Sequence, residues 1–136
     1  MIIFPDSSVW IAAVRGERTT ATEFIAQRDE GEEVATTGII VLEVLQGVRD
    51  EKTYSLTREK LWGTLILQPH ELSTFEVAAQ LYRRARQQGF TIRKPNDCLI
   101  AAIALEHGAM LVHNDRDFLA LAQIEPELLI YPGRAH

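Results

Sequence analysis

"PNDCLIAAIALEHGAMLVHNDRDF", residues 95–118, changes character twice. Its first part reads as a helix opened by Pro95 and Asn96 and closed by Gly108. After Asp97 that helix has no polar face, and a helix apolar all round is a buried one. "AMLVH", 109–113, is short and apolar and reads as a strand. "DRDFLALAQ", 115–123, then reads as a short helix.

The rest of the chain repeats this alternation. "MIIF" is a wholly apolar strand of the kind buried on both faces of a parallel sheet. "SVWIAAVRG" reads as a helix stopped by Gly16, and "TTATEFIAQRDEG" as one with Thr20 and Glu23 at capping-box spacing and Gly31 as its stop. "EVATT" is a second strand, "GIIVLEVLQGVRD" and "YSLTREKLWGTL" are helical, and "LILQP" is a third strand. "STFEVAAQLYRRARQQG" carries Ser73 and Glu76 as a further capping box and Gly89 as its stop, and "ELLIY" closes the series as a strand. Strands alternating with helices imply right-handed crossovers and a parallel sheet covered on both faces. The expected fold is therefore α/β, a three-layer sandwich around a short, mainly parallel sheet, formed by one domain over 1–136.

The bulk numbers narrow the function. The 136 residues are 46% hydrophobic and 24% charged, with a net charge of -5. That argues against a protein that coats nucleic acid by charge alone. It leaves room for an enzyme whose acids gather around a cation. The one cysteine, Cys98, excludes an internal disulfide and a Cys-rich zinc site, and its apolar neighbours make it a core residue. No apolar run is long enough to span a bilayer, and no basic segment precedes a long apolar one, so a cytoplasmic protein is expected.

Most of the 19 acids read as solvated surface. Asp6 follows the first strand, at the carboxyl edge where ligands bind in parallel sheets. It could equally be the N-cap of the next helix. Glu43 interrupts the apolar run "IIVLEVLQGV", where an unpaired carboxylate would be costly. It faces a polar site or a cation, or else lies at a rim or pairs with Arg49. Asp97 opens a buried helix, where the helix dipole alone would also favour it. Asp115 and Asp117 follow a strand, as cap and surface charge or as ligands. Together these acids suggest a carboxylate cup. All-oxygen ligation points to Mg²⁺ or Mn²⁺ and to phosphate-ester chemistry.

The ordered set "FPDSSVWI", "IIVLEVLQGV" and "NDCLIAAIALEHGAMLVHNDRDF" resembles the PIN domain, and within it the VapC-type toxin ribonucleases of toxin–antitoxin pairs. The resemblance covers nearly the whole chain. It implies a Mg²⁺- or Mn²⁺-dependent endoribonuclease acting on structured RNA (tRNA, rRNA or mRNA). Asp6, Glu43, Asp97 and Asp115 would be its acidic quartet, with Asp6, Asp97, Asp115 and an accessory Asp117 toward metal. Ser8 would steady the metal waters. His113 stands where the family usually has Thr or Ser, and could bind RNA or metal, or simply pack.

The resemblance further implies a cognate antitoxin, with Val9, Trp10, Ala13, Val14 and Leu45 as groove lining, and a homodimer. Arg15, Arg49, Lys52, Arg93, Lys94 and Arg116 are candidate phosphate contacts, while Arg83, Arg84 and Arg86 read as a solvated face. A non-catalytic PIN-fold binding module and a DNA-cleaving relative are the alternatives. A haloacid dehalogenase reading would need an acid where Ser8 stands.

Overall fold

The computed structural model describes residues 1–133. Five strands form one sheet in the order β3-β2-β1-β4-β5. They are β1 (Ile2–Pro5), β2 (Glu33–Thr36), β3 (Leu65–Ile66), β4 (Met110–Val112) and β5 (Ile130–Tyr131). Every pairing is parallel, with Ile3 opposite Met110 and Phe4 opposite Leu111 at the centre. The connecting helices are α1 (Ser7–Val14), α2 (Thr20–Ala26), α3 (Gly38–Leu45), α4 (Glu51–Trp62), α5 (Leu72–Gln87), α6 (Pro95–His107) and α7 (Arg116–Ile124). This is the expected α/β architecture. Among the described residues no helix is long and apolar enough to cross a membrane.

Alternate strand residues feed opposite faces, which makes three layers. Phe4 and Leu111 join the larger cluster with Ile40, Leu81, Ile100, Ile103 and Phe118, contributed by α3, α5, α6 and α7. Ile3 and Val112 point the other way, onto Val9 of α1 and Ala21 of α2. The quoted helix is as buried as its composition requires: Cys98, Ile100 and Ala101 through Ala104 are all in the core. It ends where expected because Gly108 adopts the left-handed conformation, φ 61°.

Of the two expected capping boxes, one shifts and one does not form. At α2 the box is real but one residue earlier. Thr19 is the extended N-cap, its hydroxyl accepts from Thr22 N, and Thr22 Oγ1 accepts from Thr19 N at 2.8 Å. Thr20 is already helical and cannot cap. At α5 no box forms. The N-cap Glu71 makes no side-chain bond; His70 N donates both to Thr74 Oγ1 and to Glu106 of α6, and Glu106 also accepts from the Thr74 hydroxyl. A tertiary acceptor joins a local one. Helix α2 also ends at Ala26, short of Gly31, and α4 starts at Glu51 because Asp50 caps it through Thr53 N.

Candidate active site

Strand order reverses between β1 and β4, so the cleft beyond their carboxyl ends is the topological switch point of the sheet. Asp6 directly follows β1, and Asp115 follows β4 by three residues. Asp97 enters from the first turn of α6, and Asp117 from the first turn of α7. The carboxylates of Asp97, Asp115 and Asp117 each place an oxygen within 4.8 Å of the others. Asp6 borders the group closely enough that Asp115 and Glu43 both act on its charge.

Two acids of the group also cap helices. Asp6 is the N-cap of α1, accepting from Val9 N at 3.3 Å, and its Oδ1 also accepts from Ser8 Oγ at 2.8 Å. Asp115 is the N-cap of α7, accepting from Asp117 N at 3.0 Å. The capping reading open for these two acids in the sequence is therefore met.

Electrostatics strain the cup. Burial, opposed by the Ser8 and Val9 hydrogen bonds, raises the Asp6 carboxyl to about 6. Burial, reinforced by Asp115 and Asp6, raises Asp97 to about 7. Asp97 Oδ2 is buried and has no hydrogen-bond partner. An orphaned carboxylate oxygen among other carboxylates fits a hard divalent cation, which needs oxygen ligands and neutralises their repulsion.

Glu43 reaches the cup for a different reason than its sequence suggests. Helix α3 is not buried all round: Ile40 and Val44 are buried, but Leu42 is 58% exposed. Glu43 is half-buried, and its Oε1 accepts from Ser7 Oγ at 2.7 Å rather than from Arg49. Ser7, not singled out in the sequence, joins α3 to the Asp6 turn. Its only sequence signal is its place in the Asp-Ser-Ser run.

His113 resolves to a packing role. It is buried at 2% exposure against Phe118. Its Nδ1 accepts from Asp115 N at 3.1 Å, which fixes the proton on Nε2, donated to Pro132 O at 2.9 Å. Burial keeps it neutral by lowering its pKa. Both ring nitrogens are committed, so it holds the Asp115 turn rather than RNA or metal.

Of the candidate phosphate contacts, Arg93 is the one bound into the cup, with Nη2 on Asp115 Oδ1 at 2.8 Å and Nε on Asp117 Oδ2 at 3.2 Å. Arg15, Arg49, Lys52, Lys94 and Arg116 are exposed, as is Asn96, and Asn114 reaches only Thr19. Arg84 is not part of a solvated face, since it pairs with Glu125 and donates to Ile124 O, tying α5 to α7. The expected groove residues separate. Val9, Trp10 and Ala13 line a cavity against α2, while Val14 lines a groove of about 290 Å³ with Ile11, Val44, Val48, Arg15 and Arg49.

An α/β sandwich with acids from four separate elements meeting at its switch point is the arrangement of a PIN domain. The family model described as PIN domain matches residues 3–124, and the chain belongs to this family. The VapC ribonuclease Mb1587 of Mycobacterium bovis is 35% identical over 125 residues, spanning 90% of this chain and 93% of that protein. Ribonuclease VapC11 of Mycobacterium tuberculosis aligns with the same identity and coverage. VapBC2 from Rickettsia felis, solved bound to a DNA fragment from its promoter, superimposes with a TM-score of 0.74 at 18% identity, covering 96% of this chain and 97% of that one. VapBC-1 from nontypeable Haemophilus influenzae gives 0.73 at 21% identity, with 96% of both chains covered. The two superpositions show a shared fold.

Proposed function

We propose that this protein is a metal-dependent endoribonuclease toxin that hydrolyses structured RNA and is neutralised by a cognate antitoxin. The observation that carries the reading is the buried, unpartnered Oδ2 of Asp97, whose carboxylate is grouped with those of Asp115 and Asp117 at the switch point. The ribonuclease names of the relatives at 35% identity supply the substrate class. Asp6, Asp97 and Asp115 hold Mg²⁺ or Mn²⁺, and Glu43 completes the acidic quartet. When bound, the ion acidifies a water and polarises the scissile phosphate.

The chain's own groups do the rest. Ser8 fixes Asp6 Oδ1 and Ser7 fixes Glu43 Oε1, which leaves the other oxygen of each carboxylate without a side-chain donor among the described residues. Glu43 takes the proton of the attacking water as the water oxygen bonds to phosphorus, one P–O ester bond breaks, and the leaving oxygen is protonated from solvent. His113 keeps Asp115 in place from beneath.

The groove beside α1 and α3, with Ile11, Val14, Val44 and Val48 alongside Arg15, Arg49 and Asp50, suits a carboxyl-terminal antitoxin segment. VapBC-5 from Mycobacterium tuberculosis, which shares this fold, is a member of the VapBC family of toxin–antitoxin systems, and this supports such a partner. The exposed Leu72 and Phe75 on α5 support a homodimer.

The test is cleavage of labelled tRNA and ribosomal RNA by the purified protein with Mg²⁺, Mn²⁺ or EDTA, and with Asp97→Asn. Discrete fragments that require metal and Asp97 are expected. Cleavage indifferent to both would refute the assignment.

A further inference from the structure

We infer that Arg93 serves as the second cation of the acidic cup, so that the site accepts one divalent ion and Asp117 holds Arg93 rather than a metal. The inference rests on the metal-dependent reading above and concerns how many ions that site takes.

Lone-pair counting leads to it. A carboxylate oxygen offers two lone pairs. Asp117 Oδ2 receives Arg93 N and Arg93 Nε, both at 3.2 Å. Asp115 Oδ1 receives Asp117 N at 3.0 Å and Arg93 Nη2 at 2.8 Å. Both oxygens are full. Asp6 Oδ1 is full as well, with Val9 N and Ser8 Oγ. Among the described residues, the oxygens with no donor are both of Asp97 and one each of Asp6, Glu43, Asp115 and Asp117, and the guanidinium already spans the Asp115–Asp117 edge of the cup. A second ion bridging Asp115 and Asp117 would have to displace the guanidinium or sit beside it at like charge.

Arg93 is held there by more than its side chain. Its own backbone N–H is one of the donors to Asp117, so the main chain before α6 docks on the same carboxylate. The two acids in turn raise the Arg93 pKa, chiefly through the Asp117 hydrogen bond and the charge of Asp115. A planar fork spanning two carboxylates is a geometry that arginine makes and lysine does not. The Arg93 side chain is still 55% exposed, which leaves it open to a substrate phosphate.

The test counts ions on the intact, metal-stripped protein, with Mn²⁺ alone as probe, by calorimetric titration and by electron paramagnetic resonance. Wild type is expected to bind one Mn²⁺ with an isolated-ion spectrum. Arg93→Met is expected to bind two, with the spin-coupled spectrum of a close pair, and Arg93→Lys to return toward one. Thermal melts establish that each variant is folded. Two ions on wild type, none on wild type, or one on folded Arg93→Met would each overturn the inference. The ribonuclease reading fails separately. RNA left intact while the ion counts come out as one and two would sink that reading and leave the role of Arg93 standing.

Discussion

Replacing Asp97 by Asn should make the metal-free protein more stable, and increasingly so as pH rises. The folded state raises the Asp97 carboxyl from 3.8 to about 7. Between those values the folded protein holds a proton that the unfolded chain has released. Stability from this group is complete below about pH 4 and falls as pH rises through about 7. At about 1.36 kcal/mol per pKa unit, full conversion gives about 4 kcal/mol. The cup opens to water, and screening reduces the figure to about 2 kcal/mol. Asparagine cannot ionise and escapes the loss. Urea unfolding in EDTA at several values between about pH 4 and about pH 8 reads the difference directly. The gap between variant and wild type should widen by about 1–2 kcal/mol from about pH 5 to about pH 8. Packing differences between Asp and Asn move the whole curve and leave its slope unchanged. A gap that is flat with pH, or a wild type that gains on the variant at high pH without metal, would refute the claim that burial and neighbouring acids strain Asp97.

Further outcomes follow from the same geometry. Saturating Mn²⁺ at ~100 times its Kd should stabilise wild type by ~2.7 kcal/mol and Asp97→Asn far less, read as a shift in the urea midpoint. Ser7→Ala removes the bond that aims Glu43. Losing one charged hydrogen bond of about 1.5 kcal/mol should lower kcat/KM about tenfold in an RNA-cleavage assay while the melting temperature barely moves. His113→Ala removes a buried ring and two hydrogen bonds, so a loss of about 3 kcal/mol is expected in urea unfolding, with wild type itself weakening as pH falls below about 6.5 because the buried ring resists protonation. Phe118→Ala, at a fully buried site in the larger core, should cost about 3–5 kcal/mol by the same measurement.

Much was already written in the chain because it is local. The apolar run after Asp97 needs burial wherever it lies, and Gly108 stops it because a left-handed residue is required there. Short apolar segments between helices allow little besides parallel strands. Asp6, Asp97 and Asp115 were legible as site candidates because the carboxyl edge of such a sheet is a consequence of topology, and each stands at an element end.

Tertiary structure decided the rest, because it concerns partners distant in sequence. Ser73 and Glu76 do not box α5 because the helix already starts at Leu72, and Glu106 arrives from α6 to accept from His70 N and Thr74. Glu43 looked buried because its neighbours are apolar, but α3 leaves Leu42 exposed, and only the fold brings Ser7 beneath the carboxylate. The choice for His113 among ligand, RNA contact and packing depended on which atoms face its two nitrogens, and these lie on the β5 edge and in the Asp115 turn. Arg93 read as one exposed base among many. That its guanidinium spans Asp115 and Asp117 depends on the docking of the chain before α6 against α7, a juxtaposition that local residue patterns do not encode.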